Sequence, residues 1–167
     1  MAIVVEDGTG VVDANSYISV DEVKAFAALR GIALPAADGD IEILLIKAMD
    51  FIESYRDEFK GVKTVSDQSL QWPRIGVQVD GYDISEAVIP KVLKDAQCQL
   101  ATDANTQDLM PTGTGREVIG EKVDVIEVTY ATTGNTTVSP DFVKAKALLS
   151  PLLSTGGSGF ALVTNRV

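Results

Sequence analysis

The feature that most constrains the fold is an apolar pattern of helical period between residues 41 and 56. Seven apolar side chains recur there at spacings of three and four residues: Ile41, Leu44, Leu45, Ala48, Met49, Ile52 and Tyr55. This spacing places them on one face of an α-helix. Ile43, Ile46 and Phe51 fall outside the centre of that face. A helix this widely apolar is covered on more than one side, either within the domain core or partly by another subunit.

Three further helices are predicted from start and stop signals. Ser19 with Glu22 is the pattern of a capping box, in which each side chain bonds a free backbone N–H at the helix start. Pro90 suits the first turn of the next long helix, because that turn leaves its N–H groups unpaired in any case. We expect residues 139–141 (Ser-Pro-Asp) to open the last helix and Pro151 to end it.

Strand signals are few. Asp80-Gly81 lies between β-prone residues and predicts a two-residue hairpin. Residues 123–130 are rich in Val, Ile, Thr and Tyr and are predicted as a strand, within a β insertion at about 114–132. These patterns predict a mainly α fold of about four helices with a short β-hairpin or strand element. The length suits one domain, which we place at residues 1–153.

The last residues, 154–167, differ in composition from the rest of the chain. A stretch rich in Ser, Thr and Gly is followed by the apolar Phe160, Leu162 and Val163. Chain termini are often disordered, which is one interpretation of this segment. The other is an extended, flexible C-terminal arm whose apolar tip docks on its own domain or on a neighbour.

The charge balance argues against several functions. The chain has 24 Asp and Glu against 14 Lys and Arg, a formal net charge of −10, and no histidine. Histidine is the commonest general base and metal ligand, so its absence removes most catalytic and metal-binding arrangements. A negative domain repels phosphate backbones unless it carries a basic patch, and the cations here are scattered along the sequence. The single Cys98 cannot form an internal disulfide and fits a reducing compartment.

Motifs for chemistry are incomplete. Gly113-Thr114-Gly115 lacks the third glycine of a dinucleotide loop, and residues 103–108 lack the glycine and the distal glutamate of a calcium loop. No apolar run approaches the ~20 residues that span a bilayer, and the N-terminus lacks the basic region of a secretory signal. We therefore predict a non-enzymatic protein with no catalytic, cofactor-binding or metal-binding residues and no membrane partner.

Trp72 is the only tryptophan, and it stands in the sequence Leu-Gln-Trp-Pro-Arg-Ile-Gly at residues 70–76. Pro73 disfavours a helical backbone at Trp72, so this stretch is predicted as a loop. In one interpretation Trp72 fills the core, and Arg74 stacks on an aromatic ring or pairs with an acid. In the other, the anchored loop presents Arg74 to an adjacent subunit.

Several stretches of the chain together resemble a known family of small tailed-phage proteins. They are the residues 5–23, the Trp-Pro-Arg stretch at 70–76, Asp80-Gly81, the Ile-Pro helix at 89–101 and Leu-Leu-Ser-Pro-Leu-Leu at 148–153. Members of this family are labelled DnaT-like single-stranded-DNA-binding proteins, and the family is similar to helical head–tail adaptors. The resemblance covers most of the chain and implies a small connector-type helical domain.

The resemblance implies a structural virion protein at the head–tail junction, assembled in the host cytoplasm. Such a head–tail adaptor forms a homo-oligomeric, typically dodecameric, ring beneath the portal protein and above a tail terminator or stopper protein. Double-stranded DNA would pass through its lumen without tight binding. The candidate interface residues are Trp72, Arg74, Ile43, Ile46, Phe51, Phe160, Leu162, Val163 and Arg166. The alternative is a DnaT-like replication protein that binds single-stranded DNA.

Overall fold

The computed structural model describes residues 2–111 and 142–154. Within these ranges it has four α-helices and a short 3₁₀ helix: α1 (Val20–Ala28), α2 (Asp38–Glu53), α3 (Lys91–Ala104), α4 (Val143–Leu149) and the 3₁₀ helix Ser150–Leu152. Four two-residue strands lie between α2 and α3: β1 (Val62–Lys63), β2 (Arg74–Ile75), β3 (Gln78–Val79) and β4 (Tyr82–Asp83). The prediction of a mainly α fold with short strands is confirmed. The predicted β insertion at 114–132 and the arm beyond Ser154 lie outside the described residues.

The core lies where α2 packs on α3 and α3 packs on α1 and α4. The buried residues of α2 are six of the seven predicted on its apolar face, with Phe51 added: Ile41, Leu44, Leu45, Ala48, Met49, Phe51 and Ile52. Tyr55, the seventh, lies beyond the end of the helix and is half-buried. The helix itself begins three residues before the predicted start, at Asp38, and ends at Glu53. Asp38 and Asp40 in the first turn favour this earlier start, because carboxylates there complement the helix dipole.

Local signals at two other elements are confirmed. Ser19 and Glu22 form both hydrogen bonds of a capping box at the start of α1. Strands β3 and β4 pair in an antiparallel hairpin with Val79 opposite Tyr82. The two residues between them, Asp80 and Gly81, have φ of 53° and 84°. Positive φ at both positions is the geometry of a type I′ turn, which Asp-Gly favours.

One buried amide joins three separate parts of the chain. Gln97 of α3 is 0% exposed. Its Oε1 accepts a hydrogen bond from the backbone N–H of Tyr17 at 2.9 Å. Its Nε2 donates to Ser16 Oγ at 2.8 Å and to the carbonyl oxygen of Leu45 in α2 at 3.3 Å. Since these bonds join one buried side chain to the N-terminal segment and to α2, Gln97 fixes that segment against α2 and α3.

The N-terminal loop is organised around a buried carboxylate. Glu6 is 0% exposed. Its Oε1 accepts hydrogen bonds from the backbone N–H groups of Gly8 at 2.8 Å and Gly10 at 2.9 Å, and its Oε2 accepts one from Val11 at 2.8 Å. Gly8 has φ of +108°, and a Cβ there would stand 2.2 Å from the carbonyl oxygen of Ala87. The loop therefore needs both the carboxylate and the glycine.

Replacing this carboxylate by an amide tests its role. We expect Glu6→Gln to lower the free energy of unfolding by about 1–3 kcal/mol, because an NH₂ group would then face backbone N–H donors. Urea unfolding followed by tryptophan fluorescence measures this. Glu86 is exposed, so Glu86→Gln is the matched control and should change stability by less than about 0.5 kcal/mol. Equal effects of the two substitutions would contradict this role.

The surroundings of Cys98, the single cysteine, predict an unreactive thiol in the folded protein. Cys98 on α3 is 4% exposed. Burial, followed by the negative charges of Asp95 and Glu22, raises its pKa to about 12. Because the thiolate is the reactive form, we expect Cys98 to resist an aromatic disulfide reagent at neutral pH and to react fully once urea unfolds the chain. Rapid stoichiometric labelling of the native protein would contradict the prediction that the Cys98 thiol is buried and unreactive.

Candidate functional site

The Trp72 loop, residues 70–76, is held by many specific side-chain contacts. Trp72 is 0% exposed. Its ring packs edge to face on Phe59, with centroids 6.3 Å apart. Its backbone N–H donates to Tyr17 Oη at 3.1 Å, and its peptide bond to Pro73 is cis. Burial, together with the negative charge of Glu53, raises the pKa of Tyr17 well above its usual value, so this phenol stays neutral.

Arg74 is a buried cation held by carbonyl groups. It is 7% exposed. Its Nε donates to the carbonyl oxygen of Lys60 at 2.7 Å, and its Nη2 donates to those of Gly61 at 2.8 Å and Phe59 at 3.4 Å. Its Nη1 donates to the backbone and side-chain oxygens of Gln71 at 3.3 and 3.2 Å. Burial lowers the pKa of Arg74, but a guanidinium keeps its charge in proteins.

Gln71 connects this cation to the end of α2. The backbone N–H of Gln71 donates to Glu53 Oε1 and its side-chain Nε2 donates to Glu53 Oε2, both at 3.1 Å. Its own Oε1 faces Arg74. An amide between a carboxylate and a guanidinium bonds to both, and the negative charge of Glu53 favours the charged form of Arg74.

Two further residues close the loop. The side chain of Gln68 donates to the carbonyl oxygens of Leu70 at 2.8 Å and Pro73 at 3.0 Å. Gly61 has φ of +69°, and a Cβ there would lie 2.2 Å from the carbonyl oxygen of Ile75. The loop is therefore a rigid structural unit in which the hydrogen-bonding groups of Arg74 are used within the chain.

The predicted interface residues divide by burial. Trp72, Arg74 and Phe51 are buried, whereas Ile43 is 52% exposed and Ile46 is half-buried. The hypothesis that the loop presents Arg74 to an adjacent subunit does not fit this geometry, because all five of its hydrogen bonds go to neighbouring residues of its own chain. Phe160, Leu162, Val163 and Arg166 lie outside the described residues.

Sequence reasoning missed the polar residues that organise the loop. Gln68, Gln71, Gln97 and Tyr17 are each buried and each bond to groups from another part of the chain or across the loop. Glutamine follows no pattern that marks it as buried, since it is an exposed residue type in most proteins. The only available signal was the crowding of two glutamines with Trp72 and Arg74 in seven residues.

Several surface cations are also engaged inside the chain. Lys24 pairs with Asp38 at 2.6 Å, Lys94 with Glu22 at 3.4 Å, and Lys91 with Asp95. Others donate to carbonyl oxygens: Lys60 to Pro151 at 2.8 Å and Lys63 to Gln68 at 3.2 Å. Arg30 stacks on the ring of Phe26 at 3.4 Å. These contacts use part of the hydrogen-bonding capacity of these groups, and the ion pairs offset their charge, which weakens their attraction for a phosphate.

Large aromatic side chains at the surface are scarce in the described part of the chain. Tyr82, beside the β3–β4 turn, is 79% exposed. Six other aromatic residues are buried: Tyr17, Phe26, Phe51, Phe59, Trp72 and Phe142. Acidic residues surround Tyr82 in the sequence, at Asp80 and Asp83. Tyr55 is half-buried. Among the described residues, Tyr82 is therefore the ring best exposed for base stacking, and its surroundings are negative.

Two further searches of the described residues, 2–111 and 142–154, gave no site. None of their clusters of Cys, Asp and Glu could hold a metal ion. None of their helices is both long enough and apolar enough to cross a membrane.

The carbonyl cage around Arg74 predicts a large effect of a conservative change. Arg74→Lys keeps the charge but offers one nitrogen in place of the guanidinium fork, so we expect a loss of about 2–4 kcal/mol in the free energy of unfolding. Arg56→Lys is the matched control, since Arg56 is exposed and approaches only Asp57, at 3.9 Å. Urea unfolding measures both variants. A small, equal change in the two would show that the cage contributes little.

Comparisons with known proteins identify the family of this chain. No curated protein and no solved structure matches this chain. One family model, described as "Putative DnaT-like ssDNA binding protein", matches residues 1–167. Since that match spans the whole chain, the protein belongs to this DnaT-like family.

Proposed function

We propose that this protein is a non-enzymatic structural subunit that works through protein–protein contacts, as a head–tail adaptor of a phage virion. The observation that carries the proposal is that the described surface has several of its cations paired within the chain and several large apolar side chains exposed. Exposed apolar residues favour a protein partner, whereas paired cations disfavour a nucleic acid. The phage context comes from the sequence resemblance alone.

The charge of the chain suits this role. With a net charge of −10, the surface repels the phosphates of DNA and releases no counterions on contact with it. A ring built from such subunits would let double-stranded DNA slide through its lumen without adhering. The portal on one side and a tail terminator or stopper protein on the other are the partners that this role requires.

The outer face of α2 is the surface that we assign to contacts between subunits. Ile43 is 52% exposed and Ile46, one turn later, is half-buried. Both lie on a rigid helix whose opposite face is fixed in the core, so a contact here costs little conformational entropy.

Binding of single-stranded DNA is the second candidate. The family description names this ligand, and among the comparisons it favours this candidate over the adaptor role. Proteins that bind single strands combine a basic groove with exposed aromatic rings. In the described residues Tyr82 is the ring best exposed for stacking. Binding of single-stranded DNA would therefore depend on stacking against Tyr82, and Tyr82→Ala should weaken it.

Light scattering during gel filtration tests the adaptor proposal. We expect a ring, formed either by the protein alone or after addition of the portal protein, and we expect Ile43→Asp to prevent it by placing a charge in an apolar contact. Leu29 is 85% exposed at the end of α1, so Leu29→Asp is the matched control and should leave assembly intact. Wild-type protein that stays monomeric with the portal would contradict the proposal.

A further inference from the structure

Strands β1 and β2 carry an exposed apolar pair. Val62 lies directly opposite Ile75 in the antiparallel register, and the two side chains are 63% and 40% exposed. Residues opposite each other in such a register are neighbours on one face of the ribbon. Val65, three residues beyond Val62, is 46% exposed. We call Val62 and Ile75 the ribbon patch.

The rest of the ribbon is rigid, which makes the patch a preformed surface. Arg74 precedes Ile75 in β2, and side chains alternate between the two faces of a strand. The face of Arg74 is fixed by its bonds to the carbonyl oxygens of Lys60 and Gly61. The patch therefore stands on the other face, where a two-stranded ribbon alone cannot bury it.

The described chain ends close to this ribbon. Leu153 forms an antiparallel bridge with Phe59. Ser154 donates to the carbonyl oxygen of Glu58 from its backbone N–H at 2.7 Å and from its Oγ at 2.8 Å. Phe59 precedes Val62 by three residues, so Leu153 lies at most roughly 16 Å from Val62.

The remaining chain is long enough to return to the patch. Phe160 follows Leu153 by seven residues, which span up to about 24 Å when extended. The antiparallel bridge directs the chain away from β1 at Leu153, so a reversal is needed before Phe160. Gly156, Gly157 and Gly159 provide the backbone freedom for it.

We propose that residues 160–163 dock on the ribbon patch of their own chain. This segment, Phe-Ala-Leu-Val, is apolar and uncharged, like the patch. A short link within one chain holds a segment at an effective concentration on the order of millimolar, so at micromolar protein this segment outcompetes the same segment of a second copy. The proposal is independent of whether the protein binds other proteins or DNA.

Hydrogen exchange measured by mass spectrometry on the full chain tests this docking. The variant Phe160→Ser with Leu162→Ser is compared with wild type, and Thr164→Ala with Asn165→Ala is the matched control. We expect amides of residues 62–65 and 74–76 to exchange roughly tenfold faster in the first variant only, with α3 unchanged. The same exchange rates in all three proteins would overturn the proposal.

Dilution distinguishes docking within one chain from docking between copies. Protection of the ribbon that is constant over an about hundredfold range of protein concentration supports the proposal. Protection that fades on dilution would mean that a second copy supplies the segment, and the proposal would be wrong.

A reciprocal variant acts on the patch. We expect Ile75→Ser to release the segment and to speed proteolysis within residues 155–159, while the emission of the buried Trp72 stays the same. Unchanged proteolysis with unchanged emission would also overturn the proposal.

Discussion

The structure depends most on the buried charge of Arg74. A cation taken out of water is tolerated only when its donors are fully bonded, and here the backbone carbonyls of Phe59, Lys60 and Gly61 supply most of the acceptors. Phe59 also forms a bridge with Leu153, and Lys60 and Gly61 lead into β1. Arg74 thus holds the Trp72 loop, the ribbon of β1 and β2, and the segment that pairs with Leu153 in fixed positions relative to one another.

This arrangement has a consequence for function. The Trp-Pro-Arg stretch has the composition of a binding loop, with a large ring beside a cation. In the folded chain the ring of Trp72 is buried, and the guanidinium of Arg74 donates hydrogen bonds to carbonyl oxygens of the same chain. Its role is to hold the loop, and the exposed apolar group that we assign to a partner is Ile43 on the outer face of α2. That division supports a protein partner, while the family description keeps single-stranded DNA as the competing ligand.

Local patterns in the sequence predicted the local structure well. The helical period of α2, the capping box at Ser19 and the Asp80-Gly81 turn each depend on residues a few positions apart, and all three are present. The Arg74 cage could not be predicted, because its acceptors are backbone carbonyls up to 15 residues away and any residue type supplies a carbonyl. Gln97 joins groups as many as 81 residues apart, which no local pattern encodes.

The cations of residues 2–111 and 142–154 are scattered, and several are paired within the chain, which argues against tight binding of a nucleic acid strand by this part of the protein. Titration of a fluorescent single-stranded oligothymidine with the protein, followed by anisotropy at low and at physiological salt, tests it most directly. We expect no saturable binding at micromolar protein in either buffer. Micromolar binding that weakens steeply with added salt would contradict it, and would establish the ligand that the family description names.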